Sequence, residues 1–306
     1  MKKILVATVK PFAPAAVVEI KEVVEKAGYE FHLFEKYPEQ ADFVNAVKGM
    51  DALIIRSDKV TAEVLENADQ LKIVVRAGAG YDNVDLEAAT AKGVVVMNTP
   101  GQNSNAVAEL AIGMMVYHAR NGYNGKAGTE LRGKKIGIHA VGNVGLLVAK
   151  IAQGFGMEVY GYDPFVDGAK LKSAGITPVD SVDDLYSSCQ FISLHIPSNA
   201  ETKKSIGKEL LGKMPKGAVL VNTARKEVIH EEELMDLMEA RPDFSYLSDI
   251  APDCAGLIEE NYSGRFFFTP KKMGAQTAEA NINAGIAAAE QIRNYLEKGD
   301  NHFQVN

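Results

Sequence analysis

Short runs rich in valine and isoleucine alternate with helical segments along this chain, and this alternation constrains the fold more than any other feature. In the first third, strand-like runs lie at residues 2–7, 51–56, 71–76 and 93–98. Continuous apolar runs of this kind are typical of parallel strands buried on both faces. Helices are predicted at 13–27, ending near Gly28, and at 84–92, opened by Asp82 or Asn83.

A second series of strands and helices follows a polar, glycine-rich loop at 121–134. Its predicted strands are 135–140, 158–162, 191–195, 218–222 and 245–250. A helix is predicted before the loop at 103–120, and the helices after it are predicted at 144–155, 181–188, 207–213, 231–240 and 277–298. This order predicts an α/β fold with two Rossmann-like, doubly wound parallel-sheet domains and right-handed crossovers. One domain is predicted from residues 1–98 plus 276–306, the other from residues 99–275.

Composition limits the classes of partner. The chain has 306 residues, 46% of them apolar and 24% charged, as in ordinary globular proteins. Its net charge of −7 argues against nucleic acid or an anionic membrane as the main partner. No apolar run approaches the roughly 18–20 residues of a membrane span. The first residues are predicted to form a strand, and two cysteines fit a reducing compartment, so the expected location is the cytoplasm.

A glycine motif follows the strand that ends at His139. The segment A-V-G-N-V-G, residues 140–145, matches the dinucleotide fingerprint with Ala140 at the first glycine position. Gly142, Asn143, Val144 and Gly145 would then bring backbone N–H groups to a pyrophosphate. Ala140 is tolerable there if its backbone does not need a positive φ. Asp163, at the end of the next strand, would accept hydrogen bonds from both ribose hydroxyls, which favours NAD over NADP.

Several further segments resemble the D-isomer-specific 2-hydroxyacid dehydrogenases over the whole chain. They are L-I-I-R-S-D-K-V-T (53–61), V-V-R-A-G-A-G-Y-D-N-V-D (74–85), V-M-N-T-P-G-Q-N-S-N-A-V-A-E-L (96–110), V-N-T-A-R (221–225) and T-P-K-K-M-G-A-Q-T (269–277). The N-S-x-x-x-A-E-L pattern favours the phosphoglycerate branch of that family. The resemblance implies a substrate domain built from 1–98 plus the C-terminal helix, an NAD domain at 99–275, and an active site in the cleft between them.

The resemblance also implies roles for individual residues. Arg56 and Arg76 would clamp the phosphate and carboxylate of the substrate, because arginine binds both groups with two parallel hydrogen bonds. The N–H groups of Ala77, Gly78 and Ala79 would hold the carboxylate. Ser57 and Asn103 complete the implied substrate site. The implied contacts to the cofactor, beyond the fingerprint and Asp163, come from Ala79, Ile196, Pro197, Thr223, Ala224, Arg225, Asp249 (on the nicotinamide amide), Gly274 and Ala275.

The catalytic apparatus departs from the family pattern in two places. The family uses an arginine, a glutamate and a histidine, in which the histidine exchanges a proton with the hydroxyl during hydride transfer. Arg225 matches, although Lys226 and Glu227 replace the usual Gly-Gly after it. Ungapped counting places Cys254 at the glutamate position, with Asp253 as the nearest acid, and Lys272 at the histidine position. Both members of the histidine–glutamate pair are therefore replaced.

Lys272 is the expected proton carrier, as in a subgroup of the family with lysine at this position. An ordinary lysine has a pKa of about 10.4, so it is ready to donate a proton but must lose one before acting as a base. Burial and the charge of Arg225 are expected to favour that loss. The alternatives are that Lys272 is a solvated loop residue in an inactive relative, or that Lys271 takes the role. His195 is predicted to be structural, and H-E-E-E-L (230–234) lacks the second histidine of a zinc motif, so no metal site is expected.

The resemblance therefore implies NAD-dependent oxidation of 3-phospho-D-glycerate, the first step of serine biosynthesis. Two alternatives stay open: a dehydrogenase for another 2-hydroxy or 2-keto acid, and an NAD(H)-sensing protein without turnover. Helix 103–120 carries apolar residues on several faces, so it is expected to be buried by another domain or by a second subunit in a homodimer. Insensitivity to serine is expected, because the chain ends soon after Lys272.

Overall fold

A computed structural model describes residues 1–306, which form two compact units. The first unit comprises Met1–Asn103 together with Thr277–Asn306, and the second comprises Ser104–Gln276. The boundaries predicted from sequence, after residues 98 and 275, lie close to these. The assignment of substrate to one unit and cofactor to the other stays a prediction.

The first unit is built on a five-stranded parallel sheet. Its strands are β1 (Lys3–Thr8), β2 (Glu30–Glu35), β3 (Ala52–Ile55), β4 (Ile73–Arg76) and β5 (Val95–Asn98). Their order in the sheet is β2-β1-β3-β4-β5. All residues of β3 are buried, as the apolar run predicted. Strand β2 was not predicted, because its sequence E-F-H-L-F-E mixes charged and apolar residues and none of them is fully buried.

Four helices lie between these strands: α1 (Pro14–Lys26), α2 (Gln40–Ala46), α3 (Ala62–Asn67) and α4 (Leu86–Ala91). Helix α4 begins later than predicted. Its N-cap is Asp85, whose side chain accepts a hydrogen bond from the N–H of Ala88 at 3.0 Å. The expectation of Asp82 or Asn83 as the opening residue is therefore wrong, because the side chain of Asn83 instead donates to the carbonyls of Arg56 and Asp58.

The second unit is built on a seven-stranded parallel sheet. Its strands are β6 (Lys135–His139), β7 (Glu158–Tyr162), β8 (Thr177–Pro178), β9 (Phe191–Leu194), β10 (Val219–Asn222), β11 (Ser245–Ser248) and β12 (Phe266–Phe268). The order β12-β11-β10-β9-β6-β7-β8 reverses direction next to β6. In open parallel sheets, ligands bind beyond the carboxyl ends of the strands at such a reversal. The glycine motif lies immediately after β6.

The helices of this unit are α5 (Ser104–Ala119), α6 (Asn143–Gly154), α7 (Gly168–Ser173), α8 (Val182–Ser188), α9 (Lys208–Gly212), α10 (Glu231–Ala240) and α11 (Ala255–Asn261). The apolar composition of helix α5 follows from its burial within the second unit. Its residues Ala111, Met114 and Met115 belong to one core cluster with strand β6 and helix α6. Burial of these residues therefore does not require a second subunit.

The C-terminal helix α12 (Ala278–Lys298) returns to the first unit. The hydroxyl of Thr277 caps its N-terminus by accepting from the N–H of Ala280, and Gly299 ends it in a left-handed conformation with φ of 69°. Ala288, Ala289 and Ile292 share a core cluster with residues of α1. This packing brings the first turn of α12 to the end of β3. No helix in the structure has the length and apolar character needed to span a bilayer.

Candidate functional site

Arg56 follows β3 directly, and its side chain is held by three hydrogen bonds within the first unit. Its Nη1 donates to the carbonyls of Lys10 at 2.9 Å and Pro11 at 2.7 Å, and its Nη2 donates to Oδ1 of Asn281 in the first turn of α12. A guanidinium has five N–H groups, so two remain for a ligand. Burial lowers the pKa of Arg56, while the carboxylates of Asp58 and Glu35 act in the opposite direction. The cation is thus pre-positioned by protein atoms.

Arg76 ends β4, the neighbouring strand, and its side chain crosses over Gly78. The Nε of Arg76 donates to the carbonyl of Arg56 at 2.9 Å, which ties the two arginines together. Gly78 has φ of +150°, and a Cβ built there would lie 1.7 Å from Nη1 of Arg76. Glycine is therefore required at position 78, both for the backbone conformation and for the path of the guanidinium.

The backbone donors predicted for the substrate carboxylate need a correction. The N–H of Ala77 already donates to Ile55 at 2.8 Å, and that of Gly78 donates to the carbonyl of Arg76 at 2.9 Å. The loop after β4 turns tightly to continue the sheet, so these two N–H groups are used internally. Ala79 is exposed, as is Ser57, while Asn103 is half-buried at the end of the unit. Of the three predicted donors, only Ala79 remains for a ligand.

The glycine motif after β6 has the geometry of a phosphate-binding loop. Gly142 is the N-cap of α6, and a Cβ there would meet nothing within 4 Å. No side chain caps this helix, so its first N–H groups, including those of Asn143 and Val144, point outward without a protein acceptor. Gly145 permits close packing, because a Cβ there would lie 2.3 Å from the carbonyl oxygen of Ala140. These features fit a dinucleotide pyrophosphate.

Ala140 does take a positive φ, of 75°. Its tolerance at the first glycine position was predicted on the condition that φ stay negative, and that condition is wrong. The chain must turn sharply between β6 and α6, and this turn needs the left-handed conformation whatever residue stands there. An L-residue with a Cβ pays roughly 1–2 kcal/mol for it.

Asp163 follows β7, and its carboxylate accepts hydrogen bonds from two backbone N–H groups. Its Oδ2 accepts from the N–H of Val141 at 2.8 Å, and its Oδ1 accepts from the N–H of Phe165 at 2.9 Å. A carboxylate offers about four acceptor positions, so capacity remains for ribose hydroxyls. Asp163 thus shapes the glycine motif itself.

Two histidines near the carboxyl ends of β6 and β9 are neutral structural residues. Burial lowers the pKa of His139 to about 4 and that of His195 to about 3. His139 Nδ1 lies 3.1 Å from the hydroxyl of Tyr186, and His195 Nε2 lies 2.9 Å from the hydroxyl of Ser193. Both side chains are committed within the protein, in keeping with the structural role predicted for His195. Beyond it, Ile196 is buried and Pro197 is exposed.

The segment after β10 carries Thr223, Ala224 and Arg225. Asn222 holds it by accepting from the N–H of Ala224 and donating to the carbonyl of Arg225, both at 3.0 Å. Thr223 is 7% exposed and its hydroxyl has no hydrogen-bond partner in the protein. A buried hydroxyl without a partner is costly, so the Thr223 hydroxyl is available to bind an atom outside the protein, of a ligand or of water. Arg225 is exposed, and its Nη1 donates to the carbonyl of Ala224 at 2.9 Å.

Lys272 lies in a loop that is anchored by Asp249. Asp249 is 1% exposed and accepts from the N–H of Met273 at 2.6 Å and from that of Gly274 at 2.9 Å. The hydroxyl of Thr269 lies between the carbonyl oxygens of Asp249 and Lys271, at 2.8 Å from the latter, so polar contacts lie on both sides of Lys272. The Lys272 side chain itself is exposed. The expectation that burial promotes its deprotonation is therefore wrong, because this loop lies at the surface.

Asp249 anchors the loop of Lys272, a role that the sequence did not indicate. It was predicted to hold the nicotinamide amide, and here both of its oxygens hold the Lys272 loop. Gly274 is buried, and a Cβ there would lie 2.8 Å from Oδ2 of Asp249, while Ala275 is half-buried. Binding of an amide by Asp249 stays a prediction that uses its remaining acceptor capacity.

Cys254, at the position where the family has a glutamate, carries a half-buried thiol. Burial and the Glu231 carboxylate raise the pKa of its thiol to about 12. The thiol is therefore protonated at neutral pH, which argues against a nucleophile or base at this position. No group of three histidine, cysteine, aspartate or glutamate side chains is arranged to bind a metal ion.

Three residues with clear roles were missed by sequence reasoning: Asp58, Glu231 and Asn281. Asp58 is 6% exposed and accepts from the hydroxyl of Tyr37 and from the N–H of Val9, both at 2.7 Å. Its place two residues after Arg56 was the one available signal. Asn281 and Glu231 act on segments distant in sequence, and no local pattern marks them.

Comparison with known proteins finds the same family along the chain. The sequence model described as D-isomer specific 2-hydroxyacid dehydrogenase, catalytic domain, matches residues 6–306. A D-3-phosphoglycerate dehydrogenase of Methanocaldococcus jannaschii is 37% identical over 274 residues, covering 83% of this chain and 51% of that protein. A hydroxypyruvate reductase of Thermotoga maritima is 35% identical over 282 residues, covering 86% of this chain and 90% of that protein.

A solved structure extends the similarity to the full length. The NAD+-bound 3-phosphoglycerate dehydrogenase of Entamoeba histolytica is 47% identical with a TM-score of 0.87, covering 100% of this chain and 98% of that chain. By contrast, this chain spans about half the length of the first curated relatives that it matches.

Proposed function

Because the chain belongs to the D-isomer specific 2-hydroxyacid dehydrogenase family, we propose that it oxidises 3-phospho-D-glycerate to 3-phosphohydroxypyruvate with NAD. The pair of arginines at the ends of β3 and β4 carries this proposal. The substrate bears a phosphate and a carboxylate, and Arg56 retains two N–H groups beside Arg76. The reaction is the first step of serine biosynthesis. The names of the Methanocaldococcus and Entamoeba relatives support it.

NAD would be held by the unit that contains the glycine motif. Gly142, Asn143, Val144 and Gly145 would donate backbone N–H groups to the pyrophosphate, and Asp163 would accept from the ribose hydroxyls. Further contacts are proposed for Ile196, Pro197, Thr223, Ala224, Asp249, Gly274, Ala275 and Ala79. Bound NAD supplies the hydride acceptor for the oxidation.

The substrate is oriented by cations. We assign the phosphate to Arg56 and the carboxylate to Arg76 and the N–H of Ala79, because a guanidinium binds either group through two N–H groups. Arg225 fixes the carboxylate and polarises the carbon–oxygen bond that reacts. Ser57 and Asn103 contribute polar contacts.

Lys272 exchanges the proton. In the reducing direction its ammonium donates a proton to the keto oxygen as the carbonyl becomes a hydroxyl. In the oxidising direction the neutral amine takes that proton, so oxidation needs a deprotonated lysine and increases with pH. The anchored backbone on both sides of Lys272 supports this role.

Reduction of 3-phosphohydroxypyruvate, followed by loss of NADH absorbance against pH, tests the proposal. We expect kcat/KM for this substrate to exceed that for hydroxypyruvate by at least about tenfold, because a lost charged hydrogen bond costs roughly 1.5–3 kcal/mol. Equal values for the two substrates would show that no phosphate site is used.

A second candidate is the reduction of hydroxypyruvate or a related 2-keto acid. The Thermotoga hydroxypyruvate reductase favours it, because this chain covers 90% of that protein. The same pair of substrates distinguishes the two candidates. If NADH binds and neither substrate is turned over, the chain is an NAD(H)-binding protein without catalysis.

We also propose a homodimer through α5 and a cytoplasmic location. The exposed residues of α5 are Asn105, Glu109, Gly113 and Tyr117, and Gly113 and Tyr117 would form the contact. Light scattering after gel filtration tests the dimer, with a monomer mass as the contrary result.

A further inference from the structure

Two departures from the family pattern, Lys226 after the catalytic arginine and Cys254 at the glutamate position, belong to segments that contact each other. Lys226 lies in the segment after β10, and Cys254 lies in the segment after β11. The two strands are neighbours in the sheet, so their following segments start side by side.

Three interactions join the segments. Nζ of Lys226 lies 2.5 Å from Oδ1 of Asp253. The carboxylate of Glu231, in the first turn of α10, accepts from the N–H of Asp253 through Oε1 and from that of Cys254 through Oε2, both at 2.9 Å. We call Lys226, Glu231, Asp253 and Cys254 the loop clamp.

The loop clamp is adjacent to Arg225 along the chain. Lys226 is the next residue along the chain, and the carbonyl of Arg225 accepts from the side chain of Asn222. The backbone of Arg225 is therefore fixed by Asn222 on one side and by Lys226 on the other. A Gly-Gly sequence after the arginine has no side chain for such an anchor.

We propose that Lys226 and Glu231 are positioning residues for Arg225: the loop clamp keeps the segment that carries this arginine rigid. The inference rests on the proposed dehydrogenase function. The hydrogen bond to Asp253 raises the pKa of Lys226, so its ammonium stays charged in the alkaline range where oxidation is fastest.

An exposed ion pair adds little to folding stability. Lys226 is 32% and Asp253 79% exposed at the side chain. Loss of the pair should therefore leave the melting temperature nearly unchanged, while a displaced Arg225 reduces catalysis. This separation between stability and activity distinguishes positioning from a general structural role.

The chain contains a matched control pair. Lys213 and Asp183 are 2.6 Å apart, and their side chains are 33% and 62% exposed. Lys213→Ala removes an equivalent ion pair from the same unit without contact to Arg225. For Lys226→Ala we expect a drop of about tenfold in kcat/KM for the keto acid. Lys213→Ala should stay at the wild-type value, and both variants should keep the wild-type KM for NADH. Lys226→Arg should restore most of the lost activity.

A second pair tests Glu231. Glu233 lies in the same first turn of α10, and its carboxylate also accepts a backbone N–H, that of Lys208 at 2.7 Å. Glu231→Ala and Glu233→Ala each remove one first-turn acid together with the backbone hydrogen bonds that it accepts, two for Glu231 and one for Glu233. Only Glu231→Ala is expected to lower kcat/KM, again by about tenfold, and to increase deuterium exchange in the peptide around Arg225.

The readouts separate failure of this inference from failure of the proposed function. If the wild type turns over a 2-keto acid and Lys226→Ala behaves like Lys213→Ala, the loop clamp does not position Arg225. If the wild type turns over no 2-keto acid, the proposed function fails. Deuterium exchange around Arg225 then tests the positioning role of Lys226 by itself. Faster exchange around Arg225 in Lys226→Ala than in Lys213→Ala supports it, and equal exchange overturns it.

Discussion

The two units share one architecture and differ in how they treat charge at the ends of their strands. In the first unit, β3 and β4 end in arginines held in place by carbonyl groups and by Asn281. In the second unit, β6 and β9 lead into histidines that burial keeps neutral, and β6 continues into a glycine loop. The ends of β3 and β4 present fixed cations, whereas the end of β6 presents backbone N–H groups.

This difference follows from the groups that each unit is proposed to bind. A small dianionic acid offers little surface, so its binding depends on charged hydrogen bonds. A dinucleotide is large and its pyrophosphate is satisfied by a helix N-terminus, so no cationic side chain is needed. Two parallel sheets of different strand order would thus bind different ligands through the residues that follow each strand.

The largest effect is expected when the proposed proton carrier of the second unit is removed and Arg56 and Arg76 of the first unit are unchanged. Lys272→Ala should lower kcat for keto-acid reduction by about 10²–10³-fold, because a general acid is lost, with little change in substrate KM. Lys271→Ala is the control and should keep near-normal kcat. Steady-state kinetics of both variants measures this. An unimpaired Lys272→Ala enzyme would show that another group carries the proton.

Gly78→Ala should weaken substrate binding by the first unit and leave the proton carrier of the second unit unchanged. The added Cβ displaces the guanidinium of Arg76, so KM for the phosphorylated keto acid should rise about 10- to 100-fold, as expected for loss of a charged hydrogen bond. Gly49→Ala is the matched control, because Gly49 also has a positive φ but a Cβ there meets nothing within 4 Å. Comparable KM values in the two variants would contradict the role of Arg76.

Acid should destabilise the second unit through its histidines. His139 and His195 have folded-state pKa values of about 4 and about 3, below the ordinary value of about 6.5. Their contribution is fully present above pH 6.5 and is lost as pH falls toward 4, because the unfolded chain binds the protons first. Each contributes up to about 1.4 kcal/mol per pH unit.

Thermal unfolding between pH 7 and pH 4 measures this dependence. In His195→Asn, thermal stability should depend less on pH. His302→Asn, at an exposed site in the first unit, should leave the pH dependence of stability unchanged. Parallel curves for wild type and His195→Asn would indicate that His195 is protonated in the folded protein.

The smallest effect concerns backbone strain at the glycine loop. Ala140→Gly should raise the free energy of unfolding by about 0.5–1 kcal/mol, since relief of the left-handed conformation outweighs the added freedom of the unfolded chain. Ala27→Gly, where φ is −79°, should instead lower it. Denaturant unfolding of the two variants gives the comparison, and destabilisation by Ala140→Gly would contradict the strain.

Much of the fold could be predicted from local patterns. Strands β3, β4 and β10 each contain a continuous apolar run. Helices α1, α5, α6, α10 and α12 lie within one or two residues of their predicted ranges. The elements that were missed are short or mixed in character. Strand β2 has no fully buried residue, and β8 and β12 have two and three residues, too few for a period to be detected.

The sequence alone determined which residue types follow which strands: Arg56 and Arg76 after two strands, the glycine motif and Asp163 after two others, and Arg225 and Lys272 in their loops. These assignments are local, because strand and turn patterns depend on neighbouring residues. The tertiary structure alone decided that Asn281 holds Arg56, that Glu231 binds the backbone of Asp253 and Cys254, that Ala140 is strained and that Lys272 is exposed. Those features depend on where distant backbone segments meet, and no window of sequence contains that information.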